Sequence, residues 1–208
     1  GLENLTMTGN AATANLTGNA AINILIGNSG ANIIDGKAGA DTMIGGDGND
    51  FYYVDNIGDN VVELDTGISL GGLDKIKTTL SSYTLGTGVE DLAYGGTGAF
   101  TGTGNALDNT MTGSSGADIL FGQDGNDFLL GASGNDILNG GAGVDKLTGG
   151  SGNDVFMFNK GQEAGDIISD FVGNGSAAGD TIQLVGWAAG STLTQVSGTL
   201  WAIADGFD

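Results

Sequence analysis

The chain contains no cysteine, histidine, proline or arginine. Without cysteine there are no disulfides, no zinc–thiolate sites and no thiol nucleophile. Without histidine the commonest general base and transition-metal ligand are missing. Serine and threonine hydroxyls are plentiful but lack an activating partner, and no G-K-[ST] follows the G-x-G runs to make a phosphate cradle. Carboxylate pairs abound, as glycoside hydrolysis needs, yet they fall at repeat positions that metal binding explains. The sequence therefore argues against an enzyme. The lack of proline and of a triplet period excludes collagen. No window holds the roughly 18 consecutive apolar residues of a membrane-spanning helix, so no membrane insertion is expected. Cations are scarce: Lys37, Lys75, Lys77, Lys146 and Lys160 face 25 acidic residues, for a net charge of −20. Such a surface repels nucleic acid and attracts cations.

What the chain has in excess is glycine, 42 residues, placed with a period. Glycine recurs at 9, 18, 27, 36 and 45, opening GNAATANLT, GNAAINILI, GNSGANIID, GKAGADTMI and GGDGNDFYY. It recurs again at 104, 113, 122, 131, 140 and 149, opening GNALDNTMT, GSSGADILF, GQDGNDFLL, GASGNDILN, GGAGVDKLT and GGSGNDVFM. The frame has Gly at position 1, often Gly at 4, Asp or Asn at 6 and a large apolar residue at 8. Plain disorder does not fit a chain that is 39% hydrophobic with its apolar residues at fixed spacing. Positions 1 to 6 suit a tight turn, and positions 7 to 9 form a three-residue strand with one side chain inward. Two nonapeptides then make one flattened 18-residue coil, and stacked coils give an all-β parallel β-roll, or β-solenoid. Leu120, Leu129, Leu138, Leu147 and Phe156 are the expected core.

Stacking sets the chemistry. Position-6 residues of alternate repeats fall on one edge: Asp118, Asp136 and Asp154 on one side, Asn109, Asp127 and Asp145 on the other. Carboxylates at that spacing repel unless a cation lies between them. Several Ca²⁺ ions suit the gaps, because calcium takes six to eight oxygens in flexible geometry, backbone carbonyls included.

The two runs are copies. Gly18-Asn19-Ala20 aligns with Gly104-Asn105-Ala106, and the lead-in Leu2-Glu3-Asn4-Leu5 with Val89-Glu90-Asp91-Leu92. The first run is poorer in charge at position 6: Ala14, Asn23, Asn32, Asp41 and Asp50. Its expected sites pair Asn32 with Asp50 and Asp41 with Asp59, while Asn23 and Asn32 give weak sites or replace metal with hydrogen bonds. The expected division is a first unit at 1–53, metal-poor connecting coils at 54–103, a second run at 104–157 and a truncated β cap at 158–208. Phe156, Phe158, Ile167, Ile168, Phe171, Ile182, Leu184 and Trp187 are the expected cap, since solenoids must cover their open ends. Asp166, Asp170 and Asp180 read as capping and turn residues, and Glu163 as a candidate partner of Asp145.

GGDGND (45–50), GGSGND (149–154) and the following GDIISDF and GDTIQL resemble the RTX, or repeats-in-toxin, proteins of bacterial type I secretion. The resemblance covers nearly the whole chain. It implies that each Ca²⁺ is held by turns from alternate repeats, through carbonyls at positions 2 and 4 of one turn and 1 and 3 of the other, with both aspartates. One site would use Ser114, Gly116 and Asp118 with Gly131, Ser133 and Asp136. A second would use Ala132, Gly134 and Asp136 with Gly149, Ser151 and Asp154. A third would use Gln123, Gly125 and Asp127 with Gly140, Ala142 and Asp145. The repeat at 104 departs from the pattern at Leu107 and Asn109. The resemblance further implies a secreted or extracellular protein, folded by calcium outside the cell and exported by the type I machinery. The start at Gly1-Leu2-Glu3 and the end at Asp208 suggest an internal piece whose secretion signal lies beyond it. The duplication favours a surface protein, an adhesin or S-layer component, with self-association or a cell-surface glycan as its partner. The alternative is the C-terminal folding module of a secreted lipase, metalloprotease or polysaccharide-modifying enzyme.

Overall fold

The computed structural model describes residues 3–9, 13–63, 72–162, 165–173, 179–188, 192–197 and 200–204. Strands account for all the regular structure there; no helix forms among the described residues. The chain enters through β1 (Asn4–Thr6), β2 (Thr13–Thr17), β3 (Ile24–Ile26), β4 (Ala31–Asp35), β5 (Thr42–Ile44), β6 (Phe51–Val54) and β7 (Asn60–Val62). The middle holds β8 (Lys75–Thr78), β9 (Ser82–Thr84), β10 (Asp91–Tyr94) and β11 (Thr101–Thr103). The second run gives β12 (Thr110–Thr112), β13 (Ile119–Asp124), β14 (Phe128–Ser133), β15 (Ile137–Ala142), β16 (Lys146–Ser151) and β17 (Val155–Asn159). The far end carries β18 (Ile167–Ile168), β19 (Thr181–Val185), β20 (Thr192–Ser197) and β21 (Leu200–Ala204).

From β1 to β19 each strand pairs in parallel with the strand two places along, save that β7 and β9 are not paired, and among the described residues only β20 and β21 pair antiparallel. The even strands β2 to β18 make one unbroken nine-stranded sheet. The odd strands make the opposite wall as two sheets, β1-β3-β5-β7 and β9 to β19. This is the parallel β-solenoid expected from the nine-residue beat. Within the runs the register advances by one 18-residue coil, as in Leu120↔Leu138 and Leu129↔Leu147.

The core follows from the x-U-x strand. The middle residue of successive strands points inward, so Leu16, Leu25, Ile34, Met43, Tyr52, Ile76, Leu92 and Met111 are buried in sequence, followed by Leu120, Leu129, Leu138, Leu147 and Phe156. One departure is compensated. The inward position of β11 is Gly102, and Phe100 fills the space, so that a Cβ on Gly102 would lie 2.8 Å from the Phe100 ring. Tyr94 stacks on Phe100 with ring centroids 4.6 Å apart. At the far end Phe158, Ile168 and Ile182 close over the core, and Phe171 sits 6.2 Å from the Phe156 ring. Ile167, expected in the cap, is instead 55% exposed, because strand alternation turns it outward when Ile168 turns in.

Four strands of the second run, β13 to β16, are six residues, not three, because the ladder continues into the turns through Gln123↔Gly141 and Ala132↔Gly150. The turn imposes left-handed backbone at repeat positions 2 and 4. Gly125, Gly134, Gly143 and Gly152 occupy position 4 at φ +118°, +132°, +142° and +143°. At position 2, Lys37, Gln123 and Ala132 adopt φ of 65°, 83° and 85° without glycine's freedom. A Cβ on Gly134 would also collide with the Gly116 carbonyl of the coil below. Two substitutions two residues apart should therefore act in opposite senses. Gly134→Ala should cost about 2–4 kcal/mol, whereas Ala132→Gly should be neutral or stabilising by up to about 1 kcal/mol. Thermal melts of both variants in one calcium-containing buffer check the contrast.

Candidate metal centres

In a parallel coil the backbone N–H of position 6, just before each strand, points along the solenoid axis towards the next coil. The side chain of the position-6 residue one coil on completes it. Asp118 N donates to Asp136 Oδ1 at 2.8 Å, and Asp136 N to Asp154 Oδ1 at 2.9 Å. On the other edge Asn109 N donates to Asp127 Oδ1 at 2.7 Å, and Asp127 N to Asp145 Oδ1 at 2.8 Å. The first run repeats the arrangement: Asn32 N to Asp50 Oδ1 at 2.6 Å, and Asp41 N to Asp59 Oδ1 at 3.0 Å. The residue pairs expected from the spacing are therefore in contact, and Asp118, Asp127, Asp136, Asp145 and Asp154 are all buried.

Hydrogen bonding explains one carboxylate oxygen and leaves the other. Oδ2 of Asp41, Asp50, Asp127, Asp136, Asp145 and Asp154 is buried with no hydrogen-bond partner. A buried ionised oxygen in that state is costly unless a cation meets it. Each of these oxygens faces the position-1 glycine of its own repeat. A Cβ on Gly131 would collide with Asp136 Oδ2 and lie 2.7 Å from Gly149 O; one on Gly122 would collide with Asp127 Oδ2 and Gly140 O. Glycine thus keeps open a point shared by a carboxylate and the carbonyl of the next coil, an all-oxygen donor set of the kind calcium takes. The residues present fit the ion.

The turn residues expected to complete the sites are stacked over one another. Ser133 lies in register with Ser151, Ala132 with Gly150, and Gln123 with Gly141, beside Ala142. Ser114 O accepts from Ser133 N at 2.9 Å, Ala142 O from Gly125 N at 2.9 Å and Ser151 O from Gly134 N at 2.8 Å. Binding an ion through these three carbonyls would use their second lone pair.

The ends of the rows are closed. Asp118 Oδ2 accepts from Ser114 N at 2.6 Å. Asp59 Oδ2 accepts from Asp55 N and Asn56 N, at 3.1 and 3.0 Å. Asn23, Asn32 and Asn109 each turn Oδ1 back to the N–H four residues earlier, at 2.7 to 2.8 Å. A second asparagine at position 2 supports each of those turns: Asn19, Asn28 and Asn105 accept from the N–H two residues on. Repeats beginning Gly-Asn with Asn at position 6 are thus held by hydrogen bonds, whereas Gly-x-x-Gly-x-Asp repeats whose position-4 glycine is left-handed leave an oxygen open; the repeat at 113, where Gly116 is not left-handed, is closed by Ser114 N.

Spacing alone did not reach the residues that extend the rows beyond the nonapeptides. Asp50 N donates to Asp74 Oδ1, 24 residues on, and Asp74 N to Glu90 Oε2, 16 residues on. Asp145 N meets Asp166 and Asp154 N meets Asp180, at separations of 21 and 26. Asp180 Oδ2 accepts from Val172 N, and Asp170 accepts from Gly149 N and Gly150 N. Their detectable signal was an acidic residue immediately before a β-like stretch. Glu163 lies outside the described residues.

Burial pushes the Asp50 and Asp127 carboxyls up to about 7 and Asp136 to about 6, only partly offset by the backbone N–H each accepts. Burial also raises Asp41, Asp118, Asp145 and Asp154. A native carboxyl whose pKa exceeds its unfolded value near 4 binds protons more tightly than the unfolded chain, so metal-free stability falls as pH rises. In EDTA the fold should be favoured near pH 4 to 5 and lost towards pH 7, while in saturating Ca²⁺ stability should instead rise with pH. Circular dichroism across that range, with and without calcium, tests the reversal of sign.

Against known proteins, the family model of the RTX calcium-binding nonapeptide repeat matches residues 17–52, 103–138 and 130–162. No curated protein matches the chain significantly.

Proposed function

We propose that this chain, an RTX calcium-binding β-roll domain, is a module that calcium folds outside the cell, within a secreted bacterial surface protein of adhesin or S-layer type. The observation that carries the calcium dependence is the set of buried, unpartnered Oδ2 atoms at Asp41, Asp50, Asp127, Asp136, Asp145 and Asp154. A protein with 25 acidic and five basic residues cannot neutralise those rows from within. At the very low free calcium of a cytosol the rows stay uncompensated and the chain is expanded, the form in which type I export would carry it. Outside, calcium binds only the folded coil. Each site then adds about 2.7 kcal/mol when free calcium is one hundred times its dissociation constant.

A structural rather than catalytic role is supported by the chemistry: buried acids are spent on backbone N–H groups and on oxygens facing glycine, with no nucleophile–base pair among them. The surface role is supported by the duplication of the lead-in and run, which is the plan of an extended array. The repeat recurs on the opposite wall of the solenoid, since β3 belongs to an odd sheet and its counterpart β12 to the even one. Successive units would therefore present the same strand faces on alternate sides. Calcium-dependent self-assembly or glycan binding is the activity this reading assigns to the array.

The test is calcium titration by calorimetry and circular dichroism at pH 7.5. Weak β signal in EDTA and cooperative gain of sheet with several ions bound are expected; full β content in EDTA would overturn the reading. Asp127→Asn and Asp136→Asn should each raise stability in EDTA, by removing buried charge, and lower it in calcium by removing a ligand charge. Urea melts in both buffers give the comparison.

A further inference from the structure

Where the first run meets the connecting coils, two carboxylates that the nine-residue repeat does not arrange, Glu63 and Asp74, gather beside one that it does, Asp50 at position 6 of GGDGNDFYY. One carboxylate oxygen from each of Asp50, Glu63 and Asp74 lies within 4.8 Å of the others. Asp50 ends the first run, Glu63 follows β7 and Asp74 precedes β8, so each comes from a different segment of the enlarged coil. A cluster of acids at a surface would mean little, but here the polar atoms are aimed inward and held. Asp50 is 1% exposed; its Oδ1 is taken by Asn32 N at 2.6 Å and its Oδ2 has no partner. Glu63 Oε2 is likewise buried and unpartnered.

Glu63 is also fixed in place. The Tyr52 hydroxyl donates to Glu63 Oε1, and Tyr52 is a wholly buried core residue whose ring cannot shift without opening the stack. The Tyr52 hydroxyl and Asp50 Oδ2 converge as well, since a Cβ on Gly45 would collide with both. The phenol therefore holds one oxygen of Glu63 and leaves the other buried without a hydrogen-bond partner. Neither Lys37 nor Lys75 compensates these two groups: their ion pairs are with Asp35 and Asp91.

We propose that Asp50, Glu63 and Asp74 form a further divalent-cation site, taking Ca²⁺, in which Tyr52 positions the glutamate. Its ligands differ in kind from those of the nonapeptide sites. Three carboxylates replace two carboxylates and glycine-turn carbonyls, and one ligand is a glutamate outside any repeat. The choice of calcium as occupant rests on the function proposed above, while the existence of the site rests on the geometry of these residues. The connecting coils are then metal-dependent too, and the row of acids on the even edge carries ions across the junction between the two runs.

Tyr52 supplies the readout, because a phenol next to a bound lanthanide transfers excitation to it. The full chain and its Glu63→Gln, Tyr52→Phe and Asp136→Asn variants would be titrated with Ca²⁺ by equilibrium dialysis, and with Tb³⁺ under excitation of tyrosine. Glu63→Gln should bind one Ca²⁺ fewer than the parent, as expected from the loss of a charged ligand, and lose tyrosine-sensitised Tb³⁺ emission. Tyr52→Phe should lose that emission while keeping its ion count at saturation, a result that does not depend on how well the glutamate variant folds. An unchanged ion count in Glu63→Gln, or unchanged emission in Tyr52→Phe, would overturn the site. Loss of an ion in Asp136→Asn but not in Glu63→Gln would sink this site alone; retention of every ion by both would sink the calcium reading with it.

Discussion

The structure depends on one recurring bond, from a backbone N–H at the start of a strand to a carboxylate one coil further on. A parallel solenoid satisfies its strands through ladders, but the residue at each bend has an N–H that points along the axis with no strand carbonyl to meet it. Leaving it buried and unmade would cost on the order of 1–3 kcal/mol at every half-coil. Aspartate is short enough to reach it from the next coil and carries a second oxygen that the bond does not use. Both the fold and its need for cations follow from that residue choice: Oδ1 builds the stack, and Oδ2 burdens it with charge.

How the second oxygen is treated divides the repeats into two kinds. Where position 6 is asparagine, as at Asn23, Asn32 and Asn109, the side chain closes on its own turn, and a position-2 asparagine supports the bend. These repeats carry no charge at position 6 and stand where each run begins. Where position 6 is aspartate and position 4 is a left-handed glycine, the turn draws the backbone close to the coil below, and Oδ2 is left facing glycine with no hydrogen bond. Acidic residues at row ends, Asp59 and Asp180, are relieved by backbone N–H groups instead. The unsatisfied oxygens are therefore concentrated in the interior of the stack, where burial is deepest and an ion binding there would join two coils.

Much of this was legible in the sequence because the period is exact within each run. Glycine at every ninth residue fixed the turns, Leu120 to Phe156 the core, and the 18-residue coil the pairing of Asp118 with Asp136 and of Asp127 with Asp145. The six-residue strands were hidden, because pairing through Gln123 and Ala132 asks non-glycine residues to take left-handed backbone, which composition does not announce. Hidden too was the closure of Asp118 by the backbone N–H of Ser114, a local hydrogen bond set by the course of the turn and not by the side chain at that position. Asp74 and Glu90 escaped the frame entirely, since their places are set by contact with the preceding coil and not by count along the chain.

That last point bears on how the solenoid tolerates irregular sequence. Separations of 24, 16, 21 and 26 residues all serve the same bond that the repeat makes at 18. A longer coil adds its residues outside the ladder, where loop length costs little, provided that an acid returns to the N–H below and an apolar residue follows inside the stack. Asp74 meets the first condition and Ile76 the second, and the even sheet passes from β6 to β8 without a break. Detecting repeats by spacing therefore undercounts the coils, and on the calcium reading proposed above counting coils would overcount the ions. The number of cations the roll can hold is set by the carboxylate oxygens that no backbone N–H reaches, and that quantity depends on the turn preceding each aspartate as much as on the aspartate itself.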